Sequence, residues 1–129
     1  MRIEKCTSEY WEFVRTLRNN PKVRDGFVQL KYITTTQQKK YMEKYSDYYR
    51  ICLMGDDPVG YVGVINNDIR ICTHPDYQKL GIGSFMLDNI LKEFPHAEAK
   101  IKINNIASMK LFEKNGFKKT FTILTKIEE

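Results

Sequence analysis

Apolar positions follow two periods along this chain, and the switches between them set out its elements. Residues 2–6 alternate enough for a first strand. Tyr10, Trp11, Val14 and Leu17 then repeat near 3.6 residues, which predicts a helix capped by Thr7 or Ser8. Asn19-Asn20-Pro21 ends it, because proline lacks an N–H and restricts the residue before it. Residues 22–32 read as either a short helix or an irregular loop, and a second helix, capped by Thr34 or Thr35, runs to about Lys44. Segments 48–54 and 59–65 read as strands joined by the turn residues Gly55-Asp56-Asp57-Pro58. Asn66-Asn67-Asp68 turns the chain into another strand at 69–73, completing an antiparallel meander. Beyond it, Phe85, Met86, Leu87, Ile90 and Leu91 predict an amphipathic helix over 84–94, stopped before Pro95. A strand at 99–103, a helix at 107–114 with Asn115-Gly116 as its left-handed stop, and a strand at 121–127 complete the order.

This alternation predicts an α/β (α+β) fold in one domain, 1–129, without repeats or linkers. Hydrophobic residues at 42%, with eight Tyr and seven Phe, suffice for one core, and only the last two residues read as disordered. No apolar run approaches membrane-spanning length and no signal-peptide pattern precedes Ile3, so a cytoplasmic protein without a membrane partner is expected. Cys6, Cys52 and Cys72 lie in apparent strands with no CxxC pairing, which suits reduced, buried thiols. His74 and His96 lack ligand-like spacing, so no metal is expected. A net charge of +5 fits either a solvated basic surface or attraction to an anionic ligand, such as a coenzyme or nucleotide-linked substrate. The lysines are dispersed rather than gathered with aromatics, which argues against nucleic acid.

The chemistry concentrates at Gln78-Lys79-Leu80-Gly81-Ile82-Gly83, between a strand and a helix. A glycine pair there lets backbone approach a ligand and leaves the helix's first N–H groups facing an anion; a tight turn with no ligand is the alternative. A second segment, Asn105-Ile106-Ala107-Ser108-Met109-Lys110-Leu111-Phe112-Glu113-Lys114-Asn115-Gly116-Phe117, follows the next strand. Together the two resemble the GCN5-related N-acetyltransferase (GNAT) superfamily: the first its Q/R-x-x-G-x-G/A pyrophosphate loop, the second its N-x-x-S/A-x-x-L-Y/F-E-K-x-G-F helix. The resemblance spans 59–117, roughly half the chain.

The resemblance implies a mixed central sheet of about six strands flanked by about four helices, and acetyl transfer from acetyl-CoA to a primary amine by direct attack. It assigns the coenzyme pyrophosphate to Gln78, Lys79, Leu80, Gly81, Ile82, Gly83 and Ser84. It sets the pantetheine arm against the exposed edge of Ile71, Cys72 and Thr73, where a backbone N–H would also stabilise the thioester oxyanion. Asn105 and Ser108 stand where relatives contact the arm, and each also suits the start of a helix. Phe112 occupies the position where many relatives place the tyrosine acid beside the sulfur; it has no proton to give. No base is evident: His74, Asp68 and Glu98 are the candidates, His74 equally a solvent-facing loop residue, while Tyr77 suits packing and Cys72 a buried, inert thiol.

Leu17-Arg18-Asn19-Asn20-Pro21-Lys22-Val23-Arg24 and Ile33-Thr34 onward resemble the amino-sugar-nucleotide N-acetyltransferases of the pseudaminic-acid type, though Gln38 stands where that group has histidine. By this resemblance Arg18, Asn19 and Arg24 bind the acceptor, with Lys22 adding charge; a solvated helix end is the alternative. Two further functions stay open. One is a protein acetyltransferase for an N-terminus or lysine, for which Glu9, Glu12 and Asp25 are sparse support. The other is a non-catalytic acetyl-CoA-binding module. The few residues after Gly116 leave room for one strand where the family has two, so an exposed edge and a homodimer are expected.

Overall fold

In the computed structural model, which describes residues 1–24, 27 and 31–127, the elements run β1 (Arg2–Lys5), α1 (Trp11–Asn19), α2 (Pro21–Arg24), α3 (Thr35–Tyr45), β2 (Tyr49–Met54), β3 (Asp57–Ile65), β4 (Asp68–Thr73), α4 (Ile82–Glu93) and α5 (Ile106–Lys114). The strands form one antiparallel sheet in the order β1-β2-β3-β4. The meander forms as expected. Asn66 and Asn67 both take positive φ, 50° and 66°, the pair of left-handed residues that a tight β3–β4 turn demands.

The sheet is covered on both faces, which explains why β2 and β3 read as nearly continuous apolar runs rather than alternating ones. On one face Val59, Val62, Val64 and Ile69 pack with Ile82, Met86, Leu87 and Ile90 of α4 and Phe112 of α5. On the other, Tyr49, Ile51, Tyr61, Ile65 and Cys72 pack with Val14 and Leu17 of α1 and Met42 of α3. The β2–β3 register slips between Cys52 and Leu53, whose partners are Gly60 and Pro58. That bulge leaves Val59 between them and on the α4 side with Val62 and Val64.

Local signals explain the α1–α3 layer. Thr34 Oγ1 accepts the Gln37 N–H and Gln37 Oε1 accepts the Thr34 N–H, a capping box that fixes the start of α3. Before α1, in contrast, Thr7 does not cap: its hydroxyl donates to Glu9, and a 3-10 turn, Ser8–Tyr10, leads into the helix. Pro21 ends α1 yet also starts α2, since its missing N–H costs nothing at a first helical position. The short-helix reading of 22–32 therefore holds for its first residues; Asp25 and the other undescribed members of that segment lie outside the described residues, as do the last two residues of the chain.

Two expected strands do not form. Glu98 donates its N–H to Asn67 O at 2.7 Å and accepts from Ile69 N at 2.8 Å, a single parallel bridge opposite Asp68. The chain then leaves β4. Ala99 and Ile101 still pack against the core while Ile103 is fully exposed. Segment 121–127 has Phe121, Ile123, Leu124 and Ile127 in solvent and no ladder partner. The sheet described thus has four strands rather than about six: alternation marks strand-forming sequence, but a strand exists only where another lies beside it. No helix among the described residues is long and apolar enough to cross a membrane.

Candidate active site

The site is built on the open edge of β4. His74 N–H donates to Val59 O at 2.8 Å, and Tyr61 faces Cys72 in the same register. In an antiparallel ladder, bonding alternates, so Arg70 and Cys72 spend their backbone groups on β3 while Ile69, Ile71 and Thr73 turn theirs outward. Ile69 meets Glu98. Past that bridge no strand follows, so the outward groups of Ile71 and Thr73 find no backbone partner among the described residues. Polar backbone left in this way is a docking edge for an amide-bearing ligand.

At the end of β4 the chain makes a 3-10 turn, Pro75–Tyr77, and enters α4 through Gln78–Gly81. Lys79 and Gly81 adopt positive φ, 66° and 81°. A side chain on Gly81 would meet nothing within 4 Å, so what demands glycine there is the left-handed backbone and the open approach. Phe85 N–H is the first to close onto the helix, on Gly81 O at 3.1 Å, leaving the N–H groups of Ile82, Gly83 and Ser84 without helical acceptors. That first turn is a fitting cradle for a pyrophosphate. Gln78, Lys79 and Leu80 are exposed beside it.

Gly83 does something else. A Cβ on it would come within 3.0 Å of Leu111 Cδ2, so glycine there allows α4 and α5 to touch. Asn115 reinforces the same junction by donating from Nδ2 to Ser84 Oγ at 3.1 Å and to Leu111 O at 2.8 Å. The left-handed stop of α5 is Gly116, φ 91°, not Asn115. Asn105 caps α5, its Oδ1 accepting Ser108 N–H at 3.1 Å. Phe112 is 4% exposed, enclosed in the core and edge-on to Phe117 at 5.1 Å between centroids. Its ring is a packing element.

Two recesses lie beside α1. A recess of about 340 Å³ is lined by Glu12, Phe13, Thr16, Leu17 and Asn20 on and after α1 and by His74 at the end of β4. A second, of about 350 Å³, shares Thr16 and Asn20 and adds Arg15, Asn19, Pro21 and Tyr32. Glu12 is held by a two-pronged pair with Arg15. Arg18 points back under α1: its guanidinium sits 4.6 Å from the Phe27 ring centre and within electrostatic reach of Tyr61 and Cys72. Asn19 lines the second recess while its amide donates to Ile33 O at 2.8 Å and accepts from Ile33 N at 2.9 Å, a clamp that ties α1 to the residue before the α3 cap. Arg24 ends α2, half-buried, and Lys22 is exposed. Gln38, at the position expected for histidine, is 4% exposed and donates to Trp11 O at 2.9 Å, a structural tie between α3 and α1.

Among the proton-carrying candidates, Asp68 pairs with Arg70 and Glu98 is exposed. Burial pushes the Cys6 and Cys72 thiols from the ordinary 9.0 up to about 12, so neither is a thiolate nucleophile at neutral pH. Because the unfolded chain would ionise these thiols first, their contribution to stability is intact below pH 9.0 and shrinks between there and about 12. Denaturant midpoints at pH 8 and 10 should show the later one lower, by about 1 kcal/mol per thiol; equal midpoints would contradict their burial. The described residues contain no cluster of His, Cys, Asp or Glu suited to a metal.

Phe13 and Thr16 escaped sequence reading because they lie off the stripe that marks the core face of α1, and Glu12 was read only as a carboxylate for a peptide. Asn115 was legible only as a helix stop.

A family model for the acetyltransferase (GNAT) family matches residues 8–117. Among solved structures, the chain is similar to spermidine N-acetyltransferase from Vibrio cholerae, in complex with CoA and spermine: 14% identity, TM-score 0.81, covering 98% of this chain and 86% of that one. It is similar to ribosomal-protein-alanine N-acetyltransferase from Brucella melitensis at 14% identity and TM-score 0.77, covering 92% and 85%. It is similar, too, to yncA from Salmonella typhimurium, solved with acetyl-CoA, at 16% identity and TM-score 0.77, covering 91% and 79%. No curated protein matches the sequence.

Proposed function

The chain belongs to the acetyltransferase (GNAT) family, an N-acetyltransferase by class with acetyl-CoA as its co-substrate, and from that premise we propose that it acetylates the primary amine of a small molecule held between α1 and the end of β4. The observation that carries this reading is the juxtaposition of the unpaired Ile71–Thr73 edge, the left-handed entry at Gly81 and a half-open recess at His74.

In this reading the N–H groups of Ile82, Gly83 and Ser84 hold the pyrophosphate, and the outward groups of Ile71 and Thr73 pair with the amide-like arm. Gln78, Lys79 and Leu80 flank the phosphates, Asn105 and Ser108 begin α5, and Cys72 holds the strand from the side of the core. Bound coenzyme supplies an acetyl thioester that a neutral amine can attack. Phe112 has no proton for the departing sulfur, so that proton comes from water or the acceptor.

The narrower reading is an amino-sugar nucleotide. One observation favours it: the second recess shares Thr16 and Asn20 with the first and extends past Arg15. Arg18→Ala or Arg24→Ala should then raise KM for the acceptor far more than for acetyl-CoA, a loss on the order of 1.5–3 kcal/mol, with added salt weakening acceptor binding further. Equal effects on both substrates would remove these arginines from the acceptor site.

Release of coenzyme thiol, measured with a polyamine, an aminoglycoside, an amino acid, a nucleotide-linked amino sugar and a peptide N-terminus, tests the whole proposal. Turnover confined to the peptide would mean a protein acetyltransferase; binding of acetyl-CoA with no turnover of any amine would mean a binding module. A homodimer would cover the apolar side chains left in solvent at Phe121, Ile123, Leu124 and Ile127.

A further inference from the structure

We infer that His74 serves the acceptor as a hydrogen-bond donor through Nε2 and is not the base that takes its proton. The inference rests on the acetyltransferase reading above, although one arm of its test does not.

His74 is fixed on three sides. Its N–H donates to Val59 O at 2.8 Å, and its carbonyl accepts Tyr77 N–H at 2.9 Å. Its Nδ1 accepts Asp76 N–H at 3.1 Å, capping the turn that follows, and its ring stands edge-to-face on Tyr77, 5.8 Å between centres. A neutral imidazole carries one N–H, and the nitrogen that accepts a hydrogen bond is the one without it. The proton therefore sits on Nε2, and the other edge of the ring is what His74 can offer the recess it lines.

A base needs a lone pair toward the amine. To supply it from Nε2, His74 would have to move its proton to Nδ1, setting that N–H against the Asp76 N–H and breaking the cap. Protonation at Nδ1 would break the same bond, with the exposed Asp76 carboxylate, 3.9 Å away, as the nearby counter-charge. From the α1 side the recess presents Glu12, already paired with Arg15. The acceptor thus meets a donor at the end of β4 and a neutralised carboxylate opposite. An amine that also carries an oxygen acceptor, such as an amino acid, amino alcohol or amino sugar, satisfies His74; a polyamine, all donors when charged, does not.

The chain has two histidines, His74 and His96, so long-range proton–nitrogen NMR of the imidazoles in the intact protein gives two patterns, assigned with His74→Asn. His74 should show the Nε2–H tautomer at neutral pH; an Nδ1–H tautomer would overturn the inference without any substrate. In turnover of the best panel amine, His74→Asn retains a cap for Asp76 N–H but sets its amide nitrogen at the ring's Cδ2 position, short of Nε2, so it should raise acceptor KM while keeping the pH dependence of kcat/KM. His74→Phe keeps a ring without a donor and should raise acceptor KM on the order of tenfold with the pH dependence unchanged. Loss of the rising limb of the pH profile in His74→Asn would make His74 the base and defeat the inference. If no panel amine is turned over, the proposed function fails and the tautomer pattern alone decides.

Discussion

Phe112→Tyr should fold less stably than the wild-type chain, by about 1–3 kcal/mol, the cost of burying a hydroxyl with no partner. The ring is 4% exposed, shares a cluster with Val59, Val62, Ile82 and Met86, and meets Phe117 edge-on. A phenol oxygen at its tip has no named acceptor among these apolar neighbours. Turnover should not rise, because an oxygen kept in the core cannot protonate a departing thiolate. Phe112→Ala should cost more, about 3–5 kcal/mol, since it leaves a cavity between α5 and the sheet. Denaturant unfolding of both variants measures these losses, and steady-state kinetics of Phe112→Tyr measures the rest. A Tyr variant of unchanged stability and raised kcat would place the side chain beside the coenzyme sulfur and reverse this reading.

The elements that could be read along the chain are those whose cause is local. The Thr34 cap of α3, the asparagine turn at 66 and 67 and the apolar stripe of α4 each depend on a few neighbouring residues, and each formed where expected. What could not be read depends on partners far along the chain. Segment 99–103 has the alternation of a strand, yet β4 accompanies it only as far as Glu98. Nothing local reveals that the Asn19 amide clamps Ile33, 14 positions away. Phe112 was singled out by the family resemblance of its helix, and a motif does not say which face of α5 looks into the core. The proposed coenzyme side leaves a clearer mark in the sequence than the proposed acceptor side for a physical reason. A pyrophosphate is met by backbone, so a cradle for it leaves glycines in the sequence, whereas the proposed acceptor recess is lined by side chains from α1, its following loop and β4, brought together by tertiary packing.

The two glycines of that cradle should fail in different ways when replaced. Acetyl-CoA at a hundredfold excess over its Kd should stabilise the wild-type fold by about 2.7 kcal/mol, visible as a rise in Tm. Gly81 has φ 81° and no atom within 4 Å of the position a Cβ would take. Gly81→Val therefore costs backbone strain rather than a clash, about 1–2 kcal/mol, and puts a branched side chain where the phosphates approach. Its coenzyme-induced Tm shift should be lost. Gly83→Ala instead drives a methyl to 3.0 Å from Leu111, so it should lower the Tm of the free protein by separating α4 from α5. Part of the coenzyme shift should survive, because the N–H groups of Ile82 and Gly83 keep their place at the start of the helix. Trimming the neighbour tests the division directly. Gly83→Ala combined with Leu111→Ala should lose less stability than the sum of the two single changes, since each removes the other's conflict. Additive losses would place Gly83 outside the helix contact, and an undiminished coenzyme shift in Gly81→Val would take this loop out of the coenzyme site altogether.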